Sequence, residues 1–267
     1  MVDLNAPGLA TGDGVSGDSF LTSLGLRMLR PDGDVSRATA RLGPAVWAEG
    51  AERPRLGALA AMADVVAGLR PSGAVAPTVD LNVRLLGPLP ARGRVELEGR
   101  PLKAGRRLFV GEVLMRHEGA LFARSVATFL NRPSGHEVVS NEPFIATGPP
   151  PSVPFDAWFR PRYADARTVL VERNPAIVNG LSATVQGGAQ ATVAELAAEW
   201  ALAPRGPFVA VDLDIRYFGP ALAGPLAATA EVLAVHGDRA FVDVRLTDAG
   251  ADDAVVADVT VVCRPDP

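Results

Sequence analysis

The ten residues VDLNVRLLGP (Val79–Pro88) return later in the chain as VDLDIRYFGP (Val211–Pro220), 132 positions on (79 to 211). Working outward, the match extends. Gly57 and Asp64 of PRLGALAAMADVVAG (Pro54–Gly68) correspond to Gly188 and Glu195 of VQGGAQATVAELAAE (Val185–Glu199), a spacing of 131 (57 to 188), and Pro44 corresponds to Pro175 at the same spacing. Arg107 and Phe109 match Arg239 and Phe241 at 132. Nearly constant spacing over several segments marks an internal duplication, in which each copy is one structural unit.

Each copy has the same order of elements. A strand-like stretch (Ser36–Leu42; Arg167–Val171) precedes a helix of small apolar residues (Gly57–Leu69; Gly188–Leu202). Strands follow, in the first copy at Thr78–Leu85, Arg94–Pro101, Leu108–Arg116 and Leu121–Leu130, with LKAGRR and VHGDR as hairpin turns. One helix and then a run of antiparallel strands is an α+β pattern. The helices are apolar on most faces, so each should be wrapped by its sheet. Between the copies the Pro- and Gly-rich stretch Asn131–Pro154 reads as an extended connector. The expected organisation is a mobile tail over 1–19, repeat 1 over 20–132, a linker over 133–154 and repeat 2 over 155–267.

Composition narrows the function. Among 267 residues, 48% are hydrophobic and 21% charged, a globular balance, and the net charge of −4 gives no basic footprint for nucleic acid. No apolar run reaches the roughly 20 residues of a membrane helix. The first residues lack the basic and apolar regions of a signal peptide. Cys263 is the only cysteine, which excludes an internal disulfide and fits a reducing cytoplasm. His117, His136 and His236 lack metal-ligand spacing, so neither metal nor cofactor is expected. No Gly-x-Ser-x-Gly elbow or Walker loop is present. The bias to Arg over Lys, with abundant Ala, Gly, Val and Pro, suits a GC-rich bacterial genome.

The motifs of both copies resemble the hotdog superfamily, and within it the phenylacetyl-CoA-type thioesterases. That pattern sets His-Gly-Gly at a helix start, an acid further along the helix, then Ser/Thr-Val-Asp-x-Asn, Gly/Ser-Pro and a Gly-Arg/Lys hairpin. Copy one offers Arg55-Leu56-Gly57, Asp64, Thr78-Val79-Asp80-Leu81-Asn82, Gly87-Pro88 and Gly105-Arg106-Arg107. Copy two offers Gln186-Gly187-Gly188, Glu195, Ala210-Val211-Asp212-Leu213-Asp214, Gly219-Pro220 and Gly237-Asp238-Arg239. The resemblance implies a double hotdog that hydrolyses acyl-CoA thioesters at sites shared between repeats.

Two composite sites follow. The first joins Asp64 and Thr78 to Asn179, Gln186, Gly187 and Gly188, and departs from the pattern only in Gln for His. The second joins Glu195 to Arg55, Leu56 and Gly57. It lacks the first glycine and an upstream Asn, and Ala210 replaces the hydroxyl, so it is expected to have decayed. The chemistry suits the first. A helix N-terminus presents free N–H groups and positive dipole, and glycine lets a thioester carbonyl approach. Gly187 would stabilise the oxyanion and Asp64 would act as general base or nucleophile. Thr78 and Asn179 would position water or carbonyl. Gln186, which does not titrate, would orient. Arg106 and Arg107 in the hairpin turn would meet CoA phosphates.

Plainer readings stand beside these. Asp64 could be a salt-bridged residue, Glu195 part of a solvated acidic face with Glu199, Thr78 an ordinary strand residue, and Gly187-Gly188 a tight turn. Asp80, Asn82, Asp212 and Asp214 read as a polar strand face or as pairs between the repeats, and Trp47, Trp158, Phe159 and Trp200 as core or pocket lining. Competing functions are a non-catalytic acyl-binding or assembly module, or a thioesterase acting on carrier-protein thioesters. A homo-oligomer, a dimer of double hotdogs, is expected from the sheet surfaces left to cover.

Overall fold

Apolar and polar residues alternate along most of the strand segments, and in the computed structural model that alternation sorts one face toward two central helices. The model describes residues 20, 24–29, 32–68, 77–131, 155–178 and 183–266. The tail over 1–19, the stretch 133–154 and Asn179 therefore lie outside the described residues.

Repeat 1 holds β1 (Arg27–Met28), β2 (Ser36–Leu42), helix α1 (Leu56–Gly68), β3 (Thr78–Leu85), β4 (Gly93–Ala104), β5 (Leu108–His117) and β6 (Ala120–Leu130). Repeat 2 holds β7 (Arg162–Tyr163), β8 (Thr168–Val171), helix α2 (Gly187–Leu202), β9 (Phe208–Tyr217), β10 (Leu226–His236), β11 (Arg239–Asp248) and β12 (Ala254–Pro265). Among the described residues the strands form one antiparallel sheet in the order β1-β2-β4-β5-β6-β3-β9-β12-β11-β10-β8-β7. The second half of that order mirrors the first.

The repeats join at β3 and β9, where Asp80 faces Arg216, Asn82 faces Asp214 and Arg84 faces Asp212. Residues 132 apart thus exchange partners about a local dyad through Asn82 and Asp214. Inward, Leu81, Val83, Leu213 and Ile215 are fully buried. Outward, Arg84 Nε donates to Asp212 Oδ2 at 2.6 Å, and Arg216 lies 3.5 Å from Asp214 and 3.9 Å from Asp80. The alternating acids are therefore a polar face that pairs across the repeats.

The helices obey the same dyad. A Cβ on Gly57 would overlap Thr192, and one on Gly188 would overlap Ala61, so α1 and α2 cross at van der Waals contact through glycine. Gly99 and Gly111 let the last turn of α1 lie equally close to β4 and β5. This is the double hotdog that the family resemblance implies. One matched pair does not hold. Ala104 pairs with Phe109 but Val235 with Ala240, so Phe109 enters the core while Phe241 lies one residue out of step, half-buried between inward-facing Ala240 and Val242. The turn Arg106-Arg107 consequently matches Gly237-Asp238.

Candidate active site at the repeat junction

Asp64 is the only ionisable residue of α1, a helix otherwise built from apolar and small residues. The helix places it beside the first residue of β3, and Thr78 Oγ1 donates to Asp64 Oδ1 at 2.6 Å. Burial pushes the carboxyl up to about 6, against the stabilising Thr78 bond. It nonetheless keeps accessible surface, and among the described residues it accepts from no backbone amide.

The start of α2 lies opposite. Gln186 is its N-cap, with Oε1 accepting from Ala189 N at 3.1 Å and its own N–H donating to Ile177 O at 2.9 Å. The buried Gln186 side chain thus satisfies one of the helix's free amides and fixes the chain's approach to Gly187. Tyr217, the last residue of β9, donates from its phenol to Gly187 O at 2.9 Å. Burial first, and then the nearby Asp64 and Asp80 carboxylates, hold that phenol's pKa well above its ordinary value. Asp64, Tyr217 and Gly187 therefore share one neighbourhood drawn from both repeats.

The dyad-related neighbourhood is built differently. Glu195 is 0% exposed and accepts from Leu56 N at 3.1 Å and Gly57 N at 2.8 Å. Its longer side chain reaches the start of α1 and occupies the amides there. Arg55 lies 3.6 Å from the same carboxylate, forms a two-pronged pair with Asp156 at 2.9 and 2.6 Å, and donates to Glu199. Asp156 also accepts from Glu49 N at 2.9 Å, and Glu199 from Arg53 and from Ala210 N. Desolvation raises the Glu195 carboxyl to about 7, with the Arg55 charge pulling against it. Among the buried side-chain polar atoms of this group, only Arg53 Nε lacks a partner.

The other candidates lie apart. Arg106 and Arg107 are exposed at the β4–β5 turn. Pairing runs from Thr78 to Phe129, Phe109 and Ala104, so the turn lies beside the Asp64 end of the sheet, about 10–15 Å across the strands. Trp47 donates to Ala91 O, Phe159 packs with Phe20 and Phe155, and Trp200 donates to Asp165 O and stacks with Tyr163. Among the described residues no cluster of His, Cys, Asp and Glu is arranged for a metal, and no helix is long and apolar enough to cross a membrane.

The family model of the thioesterase superfamily matches residues 56–121 and 183–255, together just over half the chain and one segment in each repeat. The chain belongs to the thioesterase superfamily. Among solved structures it is similar to the tesB protein of Mycobacterium avium subsp. paratuberculosis, with a TM-score of 0.67 and 17% identity over 93% of this chain and 98% of that one. It is also similar to acyl-CoA thioesterase II TesB2 of Mycobacterium marinum, with a TM-score of 0.59 and 14% identity over 93% and 98%. A conserved protein with hot dog fold from Alicyclobacillus acidocaldarius gives a TM-score of 0.55 and 14% identity over 94% and 98%. At these identities the likeness is one of fold. None of the curated proteins matches the chain in sequence.

Two features of this thioesterase-superfamily chain escaped the sequence reading. Tyr217 stands where the first repeat has Leu85, and a phenol against an isobutyl group at matched positions was the available signal. Asp156 has no matched acid, and only the folded path of the chain brings it to Arg55.

Proposed function

We propose that the protein hydrolyses acyl-CoA thioesters at the single composite site formed by Asp64 and Thr78 of repeat 1 with the start of α2. The observation that carries this reading is the contrast between two dyad-related carboxylates. Glu195 is spent on the helix amides opposite it, whereas Asp64 is held by Thr78 alone among the described residues and keeps accessible surface. Family membership supports the class of reaction.

In the proposed reaction a water held against Asp64 attacks the thioester carbonyl carbon and gives its proton to the carboxylate. The carbonyl electrons move to oxygen, and the N–H groups of Gly187 and Gly188 stabilise the oxyanion at the positive end of α2. The C–S bond breaks as the carbonyl re-forms, and the departing thiolate takes the proton from Asp64. A carboxyl near 6 suits both halves, being largely ionised at neutral pH and still basic enough to accept a proton. Thr78 fixes the carboxylate's orientation. Arg106 and Arg107 are exposed donors at the same end of the sheet, with the fork geometry that phosphates favour. Gln186 acts as the helix cap, and Glu195 as a structural group that ties the repeats together.

Free thiol release from short, medium, long and aryl acyl-CoAs, with the wild type beside Asp64→Asn, tests this. Turnover by the wild type and its loss in the variant are expected. A wild type inactive on the whole panel would sink the reading.

A further inference from the structure

We infer that Tyr217 is a positioning residue for the oxyanion-binding amides, holding and polarising the Gly187–Gly188 peptide through its bond to the Gly187 carbonyl. The inference rests on the thioesterase reading and deepens it.

The peptide is planar and trans, so the direction of the Gly187 C=O fixes that of the Gly188 N–H, which points the opposite way. A hydroxyl donating to that carbonyl at 2.9 Å restrains the peptide against rocking. Restraint is needed here, because two adjacent glycines open the helix and no side chain of their own steadies them. The packing is close. A Cβ on Gly187 would lie 3.0 Å from the phenol oxygen, so the tyrosine fits against the glycine backbone.

Hydrogen bonds in a row reinforce one another, and a donor on the carbonyl draws electron density out of the amide and makes its N–H a better donor. As negative charge grows on the thioester oxygen, Gly188 N–H, Gly187 C=O and Tyr217 O–H would act in series. The phenol suits this role because it stays protonated. Burial and the Asp64 and Asp80 carboxylates hold its proton well beyond neutral pH.

The dyad supplies an internal control. At the matched position the sealed neighbourhood has Leu85, which has no hydroxyl, and there the amides at the start of α1 are taken by Glu195. The phenol accompanies the open site only.

The test compares wild type, Tyr217→Phe and Tyr217→Leu in kcat, KM, pH profile, melting temperature and the amide nitrogen resonance of Gly188. Tyr217→Phe should lower kcat about tenfold, the size of one modest hydrogen bond. KM, melting temperature and the acid limb of the profile should stay near wild type, and the Gly188 resonance should move. Tyr217→Leu should lower kcat at least as much. Unchanged kcat in Tyr217→Phe, or a Gly188 resonance that does not move, overturns the inference while the thioesterase reading stands. A wild type without turnover overturns both.

Discussion

The two repeat junctions began as copies of one design and now do opposite things with a carboxylate. Glu195 reaches across to Leu56 and Gly57, satisfies their amides and joins Arg55, Asp156 and Glu199 in a buried ionic group. Asp64, one methylene shorter, is held by Thr78 alone among the described residues. Under the proposed function, little separates a structural acid from a reactive one. A carboxylate that fully occupies the donors around it has no capacity left for a substrate. Burial raises both carboxyls, so what separates Asp64 is that, among the described residues, no backbone amide is bonded to it and it keeps accessible surface.

The sharpest way to break this comparison is to remove each acid in turn. Asp64→Asn keeps the shape and the Thr78 contact but cannot accept a proton, and should cut kcat by about 10²–10⁴-fold. Glu195→Gln should leave turnover per folded molecule close to wild type. Equal losses in both variants, measured by thiol release, would mean that the dyad-related sites share the work.

Stability should respond in the reverse sense. Removing Glu195 by substitution to Ala leaves Arg55 buried with fewer partners and the amides of Leu56 and Gly57 unpaired, which should cost about 3–5 kcal/mol. Asp64→Asn should stabilise the protein at pH 8. The folded pKa of Asp64 lies above its unfolded value, so its effect is absent below about 3.8, grows into a penalty between there and about 6, and is complete above that. Discounted for its accessible surface, the gain is on the order of 1–2 kcal/mol. Urea unfolding of the variants at pH 5 and pH 8 measures both.

Much of this contrast was legible in the sequence, for a physical reason. Duplication puts each motif residue beside its own counterpart, so Ala210 against Thr78 and Leu56 against Gly187 could be read as losses without any structure. Strand limits such as Ser36–Leu42 and Thr78–Leu85 followed from alternation and turn residues. What could not be read was reach. Whether a Glu or an Asp touches the opposite helix depends on the spacing between α1 and α2, set by Gly57 against Thr192 and Gly188 against Ala61. The hairpin slip that separates Phe109 from Phe241 was also hidden, because a one-residue change in turn register leaves the motif looking intact while exchanging the faces of the strand.

Under the proposed function, the same raised carboxyl sets the pH dependence of turnover. With Asp64 titrating near 6, kcat/KM should fall about tenfold per unit below that value and level off above it. Thr78→Val removes the bond that favours the ionised form, so the limb should move to higher pH, because desolvation would then act unopposed. A limb that stays in place in Thr78→Val would show that the group titrating there is not the Thr78-bonded acid.

The smallest expected effect concerns the hairpin turns. Arg106 and Arg107 lie at the Asp64 end of the sheet, while the matched turn at the Glu195 end carries Gly237 and Asp238. If phosphates meet the first turn, its arginines contribute to ground-state and transition-state binding alike, and losing them should raise KM without lowering kcat. Arg106→Ala with Arg107→Ala should raise KM for an acyl-CoA about three- to tenfold, by analogy with exposed charge contacts. It should leave KM unchanged for the same acyl group on a short thiol without phosphates. Asp238→Arg, which adds charge at the other turn, should change neither constant. A rise in KM for both thiols in the double variant would assign the turn to acyl packing or to structure, and the charge difference between the two turns would then have no part in recognising CoA.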